Sequence, residues 1–407
     1  MTEANPLVIV GAGHAGFQLA LALRQNHYDG SIKLVNNEPY APYQRPPLSK
    51  AYLKGDGNLA PLVFRPKAFF SEQRIELIPA KAEAIDRGKK KIRLSAGAEL
   101  QYGHLVLAVG ARNRELRSPH EEGCIHYIRT LAETARLKER LLSARHVTVV
   151  GAGFIGLEFA STARLKGLTV DVIELGQRLM ERAVTPEISQ FFLRRHERSG
   201  VNFHFGTEVA GIERGGGDGR YTIALAQGKK IETDLVVAGI GVNPNTELAA
   251  SAGLVVNGGI LVDQNLSTSD ANISAIGDCV VFPTPYATKP VRIESVQNAT
   301  DQARCLAARL VGKGAPYRSL PWFWSDQGSD KLQIVGLTHD VDRTVLRGSP
   351  ETGSFSVFCY AGDRLLGIES VNRPADHVVG RKILERGGSV DPKAAADPDF
   401  VLKTLLE

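Results

Sequence analysis

The sequence predicts an α/β chain built from two parallel βαβ units and a smaller C-terminal α+β domain. Three observations predict it. Leu7-Val8-Ile9-Val10-Gly11-Ala12-Gly13-His14-Ala15-Gly16 couples four apolar residues to a glycine-rich turn. The pattern returns as Val147-Thr148-Val149-Val150-Gly151-Ala152-Gly153-Phe154-Ile155-Gly156. From Tyr317 onward, short apolar runs between Gly/Asp turns replace the strand–helix alternation, which points to an antiparallel layer.

A continuous apolar run is the mark of a strand covered on both faces. Gly11 then permits a tight turn, Gly13 lets backbone amides approach a pyrophosphate, and Gly16 lets the next helix (Phe17 to Arg24) pack on the strand. That helix presents unpaired N–H groups and a partial positive charge to phosphates. A lone glycine motif is as readily a plain tight turn. Flanking strand and helix, and the repeat, make dinucleotide sites the better reading. Two sites in one chain fit a flavoprotein that takes a hydride from a nicotinamide onto a bound flavin.

Ser31 to Val35 reads as the second parallel strand, ending at Asn36-Asn37-Glu38. A carboxylate is wanted there for the adenine ribose, so the role falls to Glu38 or is shared with Asn37. Pro42-Tyr43-Gln44-Arg45-Pro46-Pro47-Leu48-Ser49-Lys50 follows, its adjacent prolines barring regular structure. A rigid surface loop with a solvated lysine is the ordinary reading; between two flavoprotein units we expect it pressed against the isoalloxazine, with Lys50 at the start of a short helix. Ile75–Ile78 and Lys91–Leu94 read as strands, the basic stretch 86–91 as a solvated turn, and Leu105 to Ala111 as a buried strand with a glycine exit.

Arg112 to Glu115 crosses into the second unit. There the helix Leu157 to Lys166 leads to the strand Thr169–Glu174, then Val201–Phe205, a hairpin around Gly215-Gly216-Gly217, and Leu235 to Gly241, mirroring 105–111. Two equivalent halves, each with a small antiparallel insert, indicate duplication. Ile260–Asp263 and Ile273–Asp278 return to the first unit. Asp278 sits at the carboxyl edge of the sheet, as a turn cap or as a ribityl or phosphate contact. The expected division is 1–112 with 242–316, then 113–241, then 317–407.

With 407 residues the chain holds about two or three domains. Its 49 basic and 44 acidic residues leave a net charge of +5, too mild and scattered for a nucleic-acid footprint but suited to an acidic protein partner. Cys124, Cys279, Cys305 and Cys359 form no CxxC pair, as expected of thiols in a reducing cytosol. No run approaches a membrane span and no signal peptide is visible, so a cytoplasmic protein, monomer or weak dimer, is expected.

The residues also carry a resemblance across essentially the whole chain. Gly11-x-Gly13-x-x-Gly16, Arg45-Pro46-Pro47-Leu48-Ser49-Lys50, Tyr127-Ile128-Arg129-Thr130-Leu131, Gly151-x-Gly153-x-x-Gly156-Leu157-Glu158, Ala275-Ile276-Gly277-Asp278-Cys279, Val291-Arg292-Ile293-Glu294-Ser295-Val296 and Trp322-Phe323-Trp324-Ser325-Asp326 resemble the NADH-dependent, FAD-containing ferredoxin reductases of bacterial oxygenase systems, of the putidaredoxin reductase type. The Arg-Pro-Pro-Leu-Ser-Lys and Trp-Phe-Trp-Ser-Asp-Gln stretches are the specific ones. The resemblance implies two Rossmann-like domains of the glutathione-reductase type. It implies FAD held by Gly11, Gly13, Ala15, Gly16, Asn37, Glu38, Arg45, Pro46, Lys50, Ala82, Ala108, Gly110, Arg129, Gly277, Asp278, Val296 and Trp324. NADH falls to Gly151, Gly153, Phe154, Ile155, Gly156, Glu158, Glu174, Arg182 and Gly241. The family often has an acid where Asn37 stands, so ribose recognition leans on Glu38 or water.

In that scheme Lys50 and Glu158 meet as an ion pair beside the flavin, from loops facing each other across a domain cleft. Phe154 covers the flavin until nicotinamide displaces it. Glu174 accepts from a ribose 2′-OH and repels a 2′-phosphate, giving NADH over NADPH, with Arg182 nearby as a counterweight. Trp322 or Trp324 walls the other side of the flavin. A disulfide reductase needs a cysteine pair at the isoalloxazine, and residues 40–50 have none. The expected acceptor is a small acidic [2Fe-2S] ferredoxin, since no Cys cluster here ligates such a centre. Its docking cations would be Arg292, Arg304, Arg309 and Lys313, near Trp324, though these charges read equally well as an ordinary solvated helix face. The rivals are an NADH oxidase, a rubredoxin reductase, and a redox-signalling flavoprotein like apoptosis-inducing factor, whose targeting segment and long insertion are not seen.

Overall fold

A computed structural model describes residues 5–55, 58–215 and 220–407. The chain forms two compact units, Met1–Gln44 with Ala60–Arg112 and Asn243–Trp322, and Arg45–Leu59 with Asn113–Val242 and Phe323–Glu407.

The first unit holds a five-stranded sheet in the order Ile273–Ala275, His104–Leu107, Leu7–Val10, Ile32–Asn36, Ile75–Pro79. All four pairings are parallel, with Leu7 opposite Ile32 and Val10 opposite Leu107. Leu7–Val10 is buried at every position, as its unbroken apolar run requires. The helix His14–Gln25 packs beside Val296–Leu310, where Ser295 caps by accepting from the Asn298 amide at 3.0 Å. The basic turn at 86–91 joins two antiparallel strands, Ala82–Asp86 and Lys91–Leu94.

The second unit repeats this plan: a parallel sheet in the order Val201–Phe205, Thr169–Glu174, His146–Val150, Leu235–Ala238, Ile125–His126, and a three-stranded antiparallel insert. The tip expected at Gly215-Gly216-Gly217 lies in part outside the described residues; its flanks, Val209–Arg214 and Tyr221–Leu225, pair antiparallel. From Phe323 onward the same unit holds a third sheet, in the strand order Trp322–Gln327, Asp330–Gly336, Arg364–Val371, Ser354–Ala361, Arg343–Ser349, backed by the helix Pro374–Glu385. Phe355, Phe358 and Ile368 are fully buried within it.

The contacts divide the chain differently from the three-way reading of the sequence. Residues 45–59 group with the second βαβ unit, and the C-terminal sheet groups with it too. Side-chain bonds between distant segments explain this. Arg45 donates to the Arg129 carbonyl (2.5 Å) and Lys138 to the Tyr52 carbonyl (3.1 Å). Arg195 meets Asp330 with two bonds of 2.9 Å. Such pairs leave no periodic trace in a sequence.

One further pair there makes stability depend on pH. Glu369 is fully buried and accepts from the Thr185 amide (3.0 Å) and hydroxyl (2.7 Å). Burial pushes its carboxyl up to about 7; the Thr185 bonds oppose this without cancelling it. The folded chain then binds more protons than the unfolded one between about pH 4.5 and about 7. Stability from this group is therefore present below that window and falls as pH rises through it. Glu369→Gln should melt a few degrees higher than the wild type at about pH 8, with the gain shrinking towards about pH 5. Melting curves that stay parallel across that range would contradict it.

Candidate functional site

The two glycine turns share one steric logic. Gly11 has φ +105°, and a Cβ there would lie 2.3 Å from the Ala108 carbonyl oxygen. A Cβ on Gly16 would lie 1.8 Å from the Gly11 oxygen, so helix and turn touch backbone to backbone. Gly13, the N-cap, has no side chain to cap the helix, and no other described atom lies within 4 Å of its would-be Cβ. The second turn matches: Gly151 at φ +99°, a Cβ on Gly156 2.2 Å from the Gly151 oxygen, and a bare N-cap at Gly153. First-turn amides with no side-chain cap fit a pyrophosphate at each turn.

Around the first turn, Gly277 (φ +85°) packs on Ala15, where a Cβ would meet the Ala15 Cβ at 3.0 Å, and its amide donates to Gln302 Oε1 at 2.7 Å. Asp278 follows, Ala108 and Gly110 lie at the exit of the strand His104–Leu107, Val296 opens its helix and Ala82 opens an antiparallel strand. At the end of the second strand Asn37 is exposed, while Glu38 Oε2 accepts from the Tyr43 hydroxyl at 2.7 Å. Arg45, Pro46, Lys50, Arg129 and Trp324 belong to the second unit.

In that second unit Glu174 closes its strand and braces the turn. Its Oε2 accepts from the Ala152 amide (2.6 Å) and its Oε1 from the Gly176 amide (2.8 Å). Ile155 and Arg182 are exposed, and Gly241 has φ +99° with open space at its would-be Cβ.

Lys50 and Glu158 form the expected pair at 3.0 Å, although they belong to one compact unit rather than to loops of two domains. Lys50 is the N-cap of the short helix Ala51–Lys54. Glu158 is 4% exposed, one turn into the helix Phe154–Leu165. The structure adds residues that sequence reasoning missed. Ser49 Oγ donates to Glu158 Oε2 and Ser325 Oγ to Glu158 Oε1, both at 2.7 Å, and Asp326 lies 3.4 Å from the Lys50 ammonium. Both serines stand inside the two specific motifs, which was the available signal. The Phe154 ring lies 4.6 Å from that of Phe323, and Phe323 is followed by Trp324.

The cysteines take no part. Burial pushes the Cys279 thiol up to about 12 and raises Cys359 as well, so neither is a thiolate nucleophile at neutral pH. All four are free thiols. Of the expected docking cations, Arg304 and Lys313 are exposed and Arg292 is paired with Glu294. Arg309 departs from the expectation: its guanidinium turns inward to Ser267 Oγ (2.7 Å) and Ser274 Oγ (2.6 Å), and burial lowers its pKa. Among the described residues no helix is long and apolar enough to cross a membrane, and no cluster of His, Cys, Asp or Glu is placed to hold a metal.

Comparison with known proteins agrees with this geometry. Residues 5–303 match the pyridine nucleotide-disulphide oxidoreductase family and residues 322–406 the reductase C-terminal family. Rhodocoxin reductase of Rhodococcus erythropolis is 49% identical over 403 residues, which is 98% of this chain and 94% of the relative. Putidaredoxin reductase of Pseudomonas putida is 38% identical, covering 100% of this chain and 98% of that one. The crystal structure of the ferredoxin reductase for the CYP199A2 system of Rhodopseudomonas palustris is 55% identical with a TM-score of 0.96, over 98% of this chain and 99% of that one. The chain belongs to the pyridine nucleotide-disulphide oxidoreductases, as a ferredoxin reductase of the putidaredoxin reductase type.

Proposed function

We propose that this chain is an NADH-dependent FAD flavoprotein that passes electrons singly to a [2Fe-2S] ferredoxin serving an oxygenase. The observation that carries it is the pairing of Lys50 with the buried Glu158 in a chain with two glycine cradles and no cysteine in the stretch 40–50. FAD, when bound, supplies the conversion between a two-electron hydride donor and a one-electron acceptor. The residues expected for FAD and NADH keep the roles assigned above, with Asn37 and Glu38 sharing the ribose.

The chain's own groups do the rest. The turns at Gly11–Gly16 and Gly151–Gly156 offer main-chain amides to pyrophosphates. Lys50 keeps a cation where negative charge develops, and Glu158 fixes its position. Phe154 covers the reactive face until nicotinamide replaces it, which keeps water out. Trp324 walls the exit side. The relatives named above are reductases for small redox partners, and one structural neighbour is a covalent putidaredoxin reductase–putidaredoxin complex, at 38% identity and a TM-score of 0.95. An acidic ferredoxin here would meet Arg304, Lys313 and Arg292. A cytoplasmic location suits four free thiols. Ferredoxin reduction by this enzyme should weaken as salt is raised; NADH turnover that reduces O₂ alone, with ferredoxin left oxidised, would favour an oxidase instead.

Glu174 is the choice between pyridine nucleotides. Removing its charge and its bonds in Glu174→Ala should reduce the NADH over NADPH preference by about 10-fold or more in kcat/KM. An unchanged ratio would count against the assignment.

A further inference from the structure

Around the Lys50–Glu158 pair the structure shows an unequal competition. Lys50 has two carboxylates within reach: Glu158 at 3.0 Å, almost fully buried, and Asp326 at 3.4 Å, which is 44% exposed. A lysine ammonium on a flexible stem pivots readily between such partners. Burial penalises Glu158 unless its oxygens are saturated. Ser49 and Ser325 saturate them, one on each oxygen, at 2.7 Å.

Each serine is itself fixed. Thr162 Oγ1 donates to the Ser49 carbonyl at 3.1 Å and so ties it to the helix that carries Glu158. On the other side the bonds run in one direction. His196 is 3% exposed, and burial lowers its pKa, which keeps it neutral. Its Nε2 lies 2.9 Å from Gln327 Oε1, which only accepts, so Nε2 carries the proton. Gln327 Nε2 donates in turn to Ser325 Oγ at 3.4 Å, leaving the hydroxyl proton for Glu158. Three segments distant in sequence thus converge on one carboxylate: 45–50, the helix 154–165 and the strand 322–327.

We propose that Ser49 and Ser325 are positioning residues for electron transfer, holding the Glu158 carboxylate so that it, and not Asp326, takes the Lys50 ammonium. The proposal rests on the reading of Lys50 given under Proposed function and extends it to two serines that bond Glu158. Ser325→Ala takes the hydroxyl donor from Glu158 Oε1, the oxygen that also holds Lys50, so the carboxylate is no longer fixed from that side and Lys50 drifts outward to Asp326. Adding Asp326→Asn to that variant removes the competitor and returns Lys50 to Glu158.

The test uses the holoenzyme under anaerobic conditions. Ser325→Ala should slow NADH-driven flavin bleaching about 10-fold with the NADH saturation constant unmoved. Ser325→Thr should restore the rate, and so should Asp326→Asn in the Ser325→Ala background. In a Lys50→Met background Ser325→Ala should have no further effect. A readout independent of turnover is the ¹⁵N-lysine NMR spectrum. The Lys50 ammonium signal, assigned by its loss in Lys50→Met, should persist in the wild type and Ser325→Thr and be lost to exchange in Ser325→Ala. A slow Lys50→Met beside a Ser325→Ala enzyme with wild-type bleaching and an intact Lys50 signal would overturn this proposal alone. So would equal losses from Ser325→Ala with and without Lys50, the mark of a merely structural serine. A wild-type rate in Lys50→Met would overturn the role of Lys50 and this proposal with it.

Discussion

Gly16→Ala should leave the protein unable to retain FAD, so that it purifies colourless. The added Cβ falls 1.8 Å from the Gly11 oxygen, far inside contact distance, and both atoms are anchored by backbone. Gly11 cannot retreat, since its own position lies against the Ala108 carbonyl and its amide donates to the Val35 carbonyl at 2.9 Å. The helix His14–Gln25 must therefore lift away from Leu7–Val10, and the amides proposed to hold the pyrophosphate move with it. A loss of one or two ångströms at a phosphate cradle removes several short hydrogen bonds at once. We expect FAD affinity to fall by about 100-fold or more. Absorbance of the purified variant, before and after added FAD, checks it. A yellow Gly16→Ala protein of normal flavin content would contradict the cradle. The equivalent Gly156→Ala change, with a Cβ 2.2 Å from the Gly151 oxygen, should spare the colour and damage NADH binding.

Lys50→Ala should slow reduction of the flavin by NADH about 10- to 100-fold while the flavin stays bound. The variant loses the only cation paired with Glu158 among the described residues and leaves that carboxylate buried with two serine bonds alone. On the proposed placement of this pair beside the flavin, an uncompensated buried negative charge there opposes hydride arrival electrostatically. Stopped-flow bleaching at saturating NADH measures it directly. Bleaching at the wild-type rate would remove Lys50 from the mechanism.

What the sequence made legible divides along physical lines. Both glycine units, and strands such as Lys91–Leu94, Thr169–Glu174 and Val201–Phe205, appear where apolar runs and glycines put them, because their signals are local. The helix Leu131–Leu141 went unread although Thr130 and Glu133 spell a capping box, which the structure forms. On Val296–Leu310 the inward turn of Arg309 is not legible, since a surface-looking arginine gives no sign of two serines on a distant strand and loop. The Lys50–Glu158 pair came from the family's motifs rather than from spacing. Ser49, Ser325 and the chain through Gln327 to His196 are out of reach: the Ser49–Glu158, Ser325–Glu158 and His196–Gln327 bonds each join residues more than 100 positions apart. The grouping of residues 45–59 with the second unit goes with long-range bonds of the same kind, Arg45–Arg129, Lys138–Tyr52 and Ser49–Glu158.

The most direct measurement adds one equivalent of NADH anaerobically to the yellow protein in the presence of excess oxidised [2Fe-2S] ferredoxin. The account predicts that the flavin absorbance bleaches and recovers while two equivalents of ferredoxin become reduced. Flavin that stays oxidised, or that is reduced and holds its electrons until O₂ is admitted, would contradict it.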